Sequence, residues 1–156
     1  MAREVIDLKD VPERTIAYVK CKGPWRQLPE KLTSLDGHMA RKGFTPTGPA
    51  LGIYYNTPAE VAIEHLEWEV CRPIAAETKE PVEWDAGFGV RQLPAAKMAT
   101  IIHTGSYRKT APTYIILEDW VGRKGLRACG PAEEIYLSGL VKDKAAAKIE
   151  IRLPVC

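Results

Sequence analysis

The sequence has no apolar run close to the roughly 18 residues that a membrane-spanning helix needs, and Met1-Ala2-Arg3-Glu4 opens no signal peptide. Charge of one sign is also lacking. Its 22 Lys+Arg are set against 20 Asp+Glu for a net of +2, and the basic residues are scattered. Counterion-release affinity requires a clustered Lys/Arg excess, so the balance argues against a direct nucleic-acid binder. The three histidines, His38, His65 and His103, form no HExxH or similar cluster, and no metal site is expected. Cys21, Cys71, Cys129 and Cys156 are far apart and make no CxxC pair, so all four are expected to be reduced, in a cytoplasmic protein. No Ser, Cys or Thr stands out as an activated nucleophile with a paired base. At 156 residues, a separate cofactor domain is excluded, which leaves one domain or two small halves sharing a core.

What is present is a repeat at an offset of 82 residues. Pro12 matches Pro94, Ala17 matches Ala99, Gly23 matches Gly105, Arg26 matches Arg108 and Leu35 matches Leu117. Arg41-Lys42-Gly43 then returns as Arg123-Lys124-Gly125, Gly48-Pro49-Ala50 as Gly130-Pro131-Ala132, and Ile53-Tyr54 as Ile135-Tyr136. With the offset slipping to 81, Glu69 pairs with Glu150 and Pro73 with Pro154. Each copy reads alike. Thr15 to Cys21 and Met98 to His103 are β-branched and apolar, and each run is followed by a glycine, as a strand turning into a helix would be. Leu28, Leu32, Leu35 and Met39 fall at helical spacing, as do Tyr114, Leu117 and Val121, with Ile115 and Trp120 flanking. Both helices stop at Lys-Gly, a basic last turn followed by a glycine suited to the left-handed cap. Pro112 marks either a break or the first turn of the second helix. A strand carrying Ile-Tyr and a final strand follow, His65 to Cys71 in one copy and Lys148 to Leu153 in the other.

The expectation is therefore an α+β domain over residues 1–156. It is built from two strand-helix-strand-strand repeats, about 10–74 and 90–156, joined by a linker at 75–89. One antiparallel-rich sheet would carry both helices on one face and a central ligand pocket on the other. Strand alternation puts Ile135 and Leu137 toward the helices and Glu134 and Tyr136 on the free face, with Gly52 and Tyr54 at the equivalent places. Glu67, Glu69 and Glu150 join that face if Leu66, Trp68, Val70, Ile149, Ile151 and Leu153 face the core. A carboxylate among tyrosines forms a receptor for flat, cationic, hydrophobic molecules, since ring faces and charge attract the same cation. Gly52 would leave room for a ligand to approach the backbone. Read without the pattern around them, Glu134 is a solvated strand residue and the two tyrosines pack against each other.

Leu93-Pro94-Ala95 with Ala99, His103-Thr104-Gly105-Ser106-Tyr107, Leu117-Glu118-Asp119-Trp120, Gly130-Pro131, Glu134-Ile135-Tyr136 and the closing Ile149-Glu150-Ile151-Arg152-Leu153-Pro154-Val155 carry a resemblance. Nearly the whole chain resembles the GyrI-like small-molecule-binding superfamily, the effector-binding domain of multidrug-sensing transcription regulators. The resemblance implies a duplicated fold, a pocket for aromatic and often cationic compounds, and Glu134 as the ligand-binding glutamate. Tyr54 and Tyr136, then Trp68, Trp84 and Tyr107, are the aromatic wall it points to, and no cofactor is implied. His103 and Tyr107 belong to the family's His-x-Gly-x-Tyr turn, where a structural histidine is expected. The first strand is expected by about Thr15, leaving no room for the helix-turn-helix of the regulators, so a stand-alone domain is expected. Some stand-alone relatives are hydrolases that open strained electrophilic rings of DNA-alkylating compounds, which would use the same glutamate. A partner regulator, or gyrase, is the remaining reading, but interspersed charge offers no acidic DNA-mimicking face. The fold also occurs among haem-binding proteins, for which His38 would be the candidate ligand.

Overall fold

The structure is a computed structural model, and it describes residues 5–75, 81–106, 109–140 and 147–156. Among these residues the chain is α+β, with antiparallel strands and two α-helices. In chain order they are β1 (Ile6–Val11), β2 (Arg14–Lys22), α1 (Leu28–Lys42), β3 (Leu51–Tyr54), β4 (Glu67–Pro73), β5 (Val82–Asp85), β6 (Phe88–Leu93), β7 (Ala96–Thr104), α2 (Ala111–Arg123), β8 (Ala132–Tyr136) and β9 (Lys148–Pro154). They fall into two compact units, Glu13–Pro94 and Met1–Pro12 with Ala95–Cys156.

In the unit Glu13–Pro94 the strand order is β3-β4-β2-β6-β5. The apolar run that predicted β2 is its centre: Ile16, Ala17 and Val19 are at most 2% exposed. Helix α1 buries Leu28, Leu35 and Met39, the expected stripe, while Leu32 sits at its margin. After the basic Arg41-Lys42, Gly43 takes a φ of 80° and its N–H reaches the Ala40 and Met39 carbonyls, which satisfies the helix end in a conformation other residues resist. The stretch expected as a linker, 75–89, carries β5 and the start of β6 where it is described, and β6 pairs antiparallel with β2.

In the other unit the order is β1-β7-β9-β8. Strand β1 precedes the first strand anticipated from the sequence and pairs with β7 from Ile6↔Ile101 to Val11↔Ala96. Its alternation is weak, with four of six positions exposed at an edge, so no apolar run announces it. Pro112 occupies the first turn of α2, where its missing N–H is harmless. Thr113, Leu117 and Val121 are the residues α2 buries, whereas Ile115 is 67% exposed.

The cysteine reading is corrected by this unit. Arg127 and Cys156 exchange backbone N–H···O bonds of 3.2 and 3.0 Å, and Ala128 bridges Val155, which holds the segment after α2 beside the residues after β9. Cys129 and Cys156, 27 residues apart, are thereby placed with Cα atoms 5.9 Å apart and form a disulfide. Sequence spacing could not show this, because the pairing is tertiary. It also removes the cysteine argument for a reducing compartment. Cys21 and Cys71 are buried and free, and burial pushes the Cys21 thiol up to about 12, which leaves it unreactive. Protein unfolded without reductant should therefore expose two alkylatable thiols by mass spectrometry, and four after reduction. Cys129→Ser/Cys156→Ser should lower the unfolding free energy by about 2–4 kcal/mol in denaturant melts.

Candidate functional site

Glu134 lies in the middle of β8, and the strand pairing fixes where its side chain goes. Glu134 pairs with Ile151 and Ile151 with Ile101; Tyr136 pairs with Ile149 and Ile149 with His103. Directly opposed residues share a face. That face is the one α2 covers, because Thr113 and Tyr114 of α2 reach it: His103 Nδ1 lies 2.8 Å from Thr113 Oγ1, and Tyr114 Oη donates to Glu134 Oε2 at 2.6 Å. The expectation that Glu134 and Tyr136 look away from the helix is thus reversed, and Ile135 is the residue on the other side. The reason is burial on both faces. Glu133 to Tyr136 are all at most 7% exposed, so polarity along β8 carries no information about which side is which.

The carboxylate is 7% exposed and both its oxygens accept phenolic hydrogen bonds, Oε2 from Tyr114 and Oε1 from Tyr136 at 3.2 Å. Among the described residues no Lys or Arg pairs with it. Burial raises its proton affinity above the usual carboxylate range, and the two tyrosine hydrogen bonds pull it partway back. Tyr136 is 1% exposed, and Tyr114 is half-buried. His103 completes the same face as a structural group. Its Nε2 donates to the Ser106 carbonyl at 2.9 Å, which leaves Nδ1 to accept from Thr113 and ties the end of β7 to the first turn of α2.

The other buried glutamates differ in this respect. Glu150 opposes Ile135, so it points away from Glu134, and Arg152 Nε at 2.6 Å and Lys9 Nζ at 3.6 Å neutralise it. Glu69 opposes Ile53, away from Tyr54, and is held by Arg91 Nη2 at 2.9 Å and by Tyr55 Oη, which donates at 2.7 Å. Burial together with this carboxylate holds the Tyr55 hydroxyl well above the usual phenol range. Glu67 is exposed. The expected grouping of Glu67, Glu69 and Glu150 with the Glu134 face therefore fails on register: a shift of one position exchanges the faces of a whole strand.

In the unit Glu13–Pro94 Trp68 is a core residue, as the alternation of its strand suggested. It opposes Tyr54, and Val70 opposes Gly52, so Trp68 shares the tyrosine's face. The two rings are near-parallel, 14° apart in plane with centroids at 6.2 Å, and Trp68 is 1% exposed. Gly52 leaves no free room: a Cβ there would lie 2.6 Å from Tyr54 Oη, because the tyrosine ring folds back over the glycine. The space expected for a ligand is filled by the neighbouring side chain. Trp84, on β5, sits against Phe44 with centroids at 5.4 Å. Tyr107 lies outside the described residues. Two residues went unremarked as site candidates in the sequence. Tyr114 belongs to the apolar helical stripe of α2, and its polar tip, 82 residues after Leu32 in the sequence repeat, is the available signal. Trp25 packs edge-on against Tyr54 at 5.3 Å and was not distinguished from its turn.

Residues 4–155 match the model of the GyrI-like small molecule binding domain, and the chain belongs to that family. Among solved structures it resembles the EcmrR C-terminal domain at 24% identity and a TM-score of 0.80, over 98% of each chain. In a complex of EcmrR with DNA, the chain covers 57% of the regulator's length. A hydrolase from Listeria innocua shares 17% identity over 97% of this chain and 91% of that one, with a TM-score of 0.74. SAV2435, in a structure bound to tetraphenylphosphonium, shares 13% over 97% and 94%, with a TM-score of 0.58. At these identities the likeness is one of fold. A comparison with curated proteins finds no match.

Because the folded chain holds the Glu134 proton more tightly than the unfolded chain does, its stabilising contribution is complete below the unfolded carboxylate range. It is lost as pH rises through the higher folded value. Relative to Glu134→Gln, which does not titrate, the wild-type protein should lose melting temperature as pH rises from that range toward neutrality. Scanning calorimetry of both proteins across pH checks this. Glu69→Gln, by contrast, should destabilise by about 1–3 kcal/mol at neutral pH, since it strands the Arg91 guanidinium.

Proposed function

We propose that this protein binds flat, aromatic, often cationic small molecules, to sequester or to sense them, with Glu134 as the charge-recognising group. The observation that carries this is a buried carboxylate with two tyrosine hydroxyls on it and no cationic partner among the described residues. Holding an uncompensated charge out of water is unfavourable until a cation arrives, and tyrosine faces favour the same visitor. Membership of a small-molecule-binding family and the fold shared with a tetraphenylphosphonium-bound protein support the reading. Tyr136 and Tyr114 are the proposed wall beside Glu134. Tyr54 and Trp68 are proposed as a stacking surface of the other unit, with Trp84 and Tyr107 as further aromatic candidates. We also infer that the two halves are copies of one strand-helix-strand-strand unit, a reading that the 82-residue sequence repeat supports.

A second reading, ring-opening hydrolysis, draws on the same carboxyl. A glutamate whose proton affinity is raised is a better general base, and neighbouring phenols can stabilise a developing oxyanion. Incubation with a cyclopropane-bearing alkylator distinguishes the two: a product heavier by one water makes the protein a hydrolase, and unchanged compound after many equivalents leaves it a binder.

For the binding reading, Glu134→Gln should weaken a cationic rhodamine by about tenfold or more while changing a neutral flat analogue little, as measured by fluorescence titration. Affinity for the cation should also climb with pH as Glu134 ionises. Equal losses for both dyes, or an affinity for the cation that does not change with pH, would refute the charge argument.

A further inference from the structure

The four cysteines divide by exposure. Cys21 and Cys71 are buried free thiols of the unit Glu13–Pro94, whereas both residues of the bonded pair, Cys129 and Cys156, are exposed. A dissolved thiol can therefore reach the bridge, and the buried cysteines cannot compete for its sulfurs. The backbone around the bridge does not depend on it. Arg127 and Cys156 exchange N–H···O bonds, Cys129 N–H donates to the Pro154 carbonyl at 2.9 Å, and Val155 N–H donates to the Lys97 carbonyl of β7 at 3.0 Å. These bonds stay available when the S–S bond opens, so reduction removes a covalent closure and leaves the ribbon it closes.

That closure bears on Glu134 through its place in the chain. Cys129 and Cys156, 27 residues apart, close a ring that contains β8 and β9, and hence Glu134 and Tyr136. Tyr114, the other phenol on the carboxylate, stands outside the ring on α2. Little slack separates helix and ring. Leu126 N–H donates to the Val121 carbonyl at 3.1 Å, and the next residue, Arg127, already belongs to the ribbon. The bridge thus fixes the end of α2 against the strands, and a helix of 13 residues carries the constraint to its first turn, where Tyr114 sits.

We propose that Cys129–Cys156 is a reversible thiol–disulfide exchange site whose redox state sets how firmly Tyr114 is held on Glu134, and with it the affinity for a cation. The co-reactant is a dithiol. One of its thiolates attacks an exposed sulfur of the bridge, which forms a mixed disulfide and releases the other cysteine as a thiolate. The second thiol then attacks the mixed disulfide, closing the reductant's own S–S bond and freeing the second cysteine. Two electrons pass from the dithiol to the bridge, and its two protons end on Cys129 and Cys156. In the reduced state only hydrogen bonds and packing tie α2 to β8 and β9. Tyr114 is then on the carboxylate for a smaller share of the time, and Glu134 is open to a cation more often. The effect on the cation rests on the binding reading; the effect on Tyr114 does not.

The test compares the protein in oxidised and in reduced dithiothreitol without denaturant. Alkylation and mass spectrometry should show full, reversible conversion of Cys129 and Cys156 with Cys21 and Cys71 unlabelled, the protein remaining folded by circular dichroism. The Tyr114 Cζ carbon resonance, which reports the hydrogen bond of its hydroxyl, should shift on reduction and return on reoxidation. Cys129→Ser/Cys156→Ser should show the reduced-state resonance in either reagent. A cationic rhodamine should bind the reduced form about fivefold more tightly, the lower end of couplings between separate sites, and by linkage should favour reduction by the same factor. A bridge that opens only in denaturant, a Tyr114 resonance indifferent to redox state, or a dye that binds both forms equally overturns the proposal. A dye that binds neither form refutes the binding reading instead, and the Tyr114 resonance still decides the switch.

Discussion

A carboxylate removed from water is tolerated in a fold only if something answers its charge. Glu134 is answered by two hydroxyls and by no cation among the described residues. Much of the surrounding unit is arranged around that condition. Strand β8 places the carboxyl on the face that α2 covers. The first turn of α2 then brings Tyr114 onto one oxygen, and Tyr136 reaches the other from two residues along the same strand. His103, bonded to Ser106 and Thr113, secures the end of β7 to the start of α2 and so holds the helix end that carries Tyr114. Moving α2 would cost both the apolar contacts of Leu117 and Val121 and one of the two bonds that make the buried carboxylate bearable.

Glu150 and Glu69 show how the same residue type serves structure instead. Each is as buried as Glu134, and each has a basic side chain within hydrogen-bond distance, Arg152 and Arg91 respectively. Such pairs are closed: the charge is compensated and little is gained by an incoming cation. What separates Glu134 from these two glutamates is therefore the partner, two phenols in place of a cation. A similar contrast separates Trp68, whose N–H is spent on Gly23, from Trp25, whose N–H is not.

Much of the secondary structure was legible before any coordinates. The cores of β2, β4, β7 and β9, both helices, their glycine stops and the placing of Pro112 in a first turn followed from periodicity, caps and the internal repeat. Strand β1 was not legible, because an edge strand with mostly exposed positions has no apolar signature, and β5 with the start of β6 was hidden in a stretch rich in Glu, Pro and Gly. Faces were the main failure. Alternation tells which residues lie together, but on strands buried from both sides it does not say which set meets the helix. Choosing wrongly for β8 misplaced Glu134 and Tyr136, which lie under α2, whereas Glu150 on β9 keeps its expected side and Trp68 its expected place in the core.

The sequence by itself determined the element types, the two Ile-Tyr strands and the presence of Glu134 82 residues after Gly52, since these depend on local sterics, periodicity and chemical type. Only the tertiary structure decided that Glu134 lies under α2 between two phenols, that Cys129 meets Cys156, that Tyr54 fills the space above Gly52, and that Trp25 keeps an unbonded N–H. Each of these depends on which atoms a distant segment brings within a few ångströms, and register, burial and the identity of a charge's neighbour are properties of packing that no spacing along the chain records.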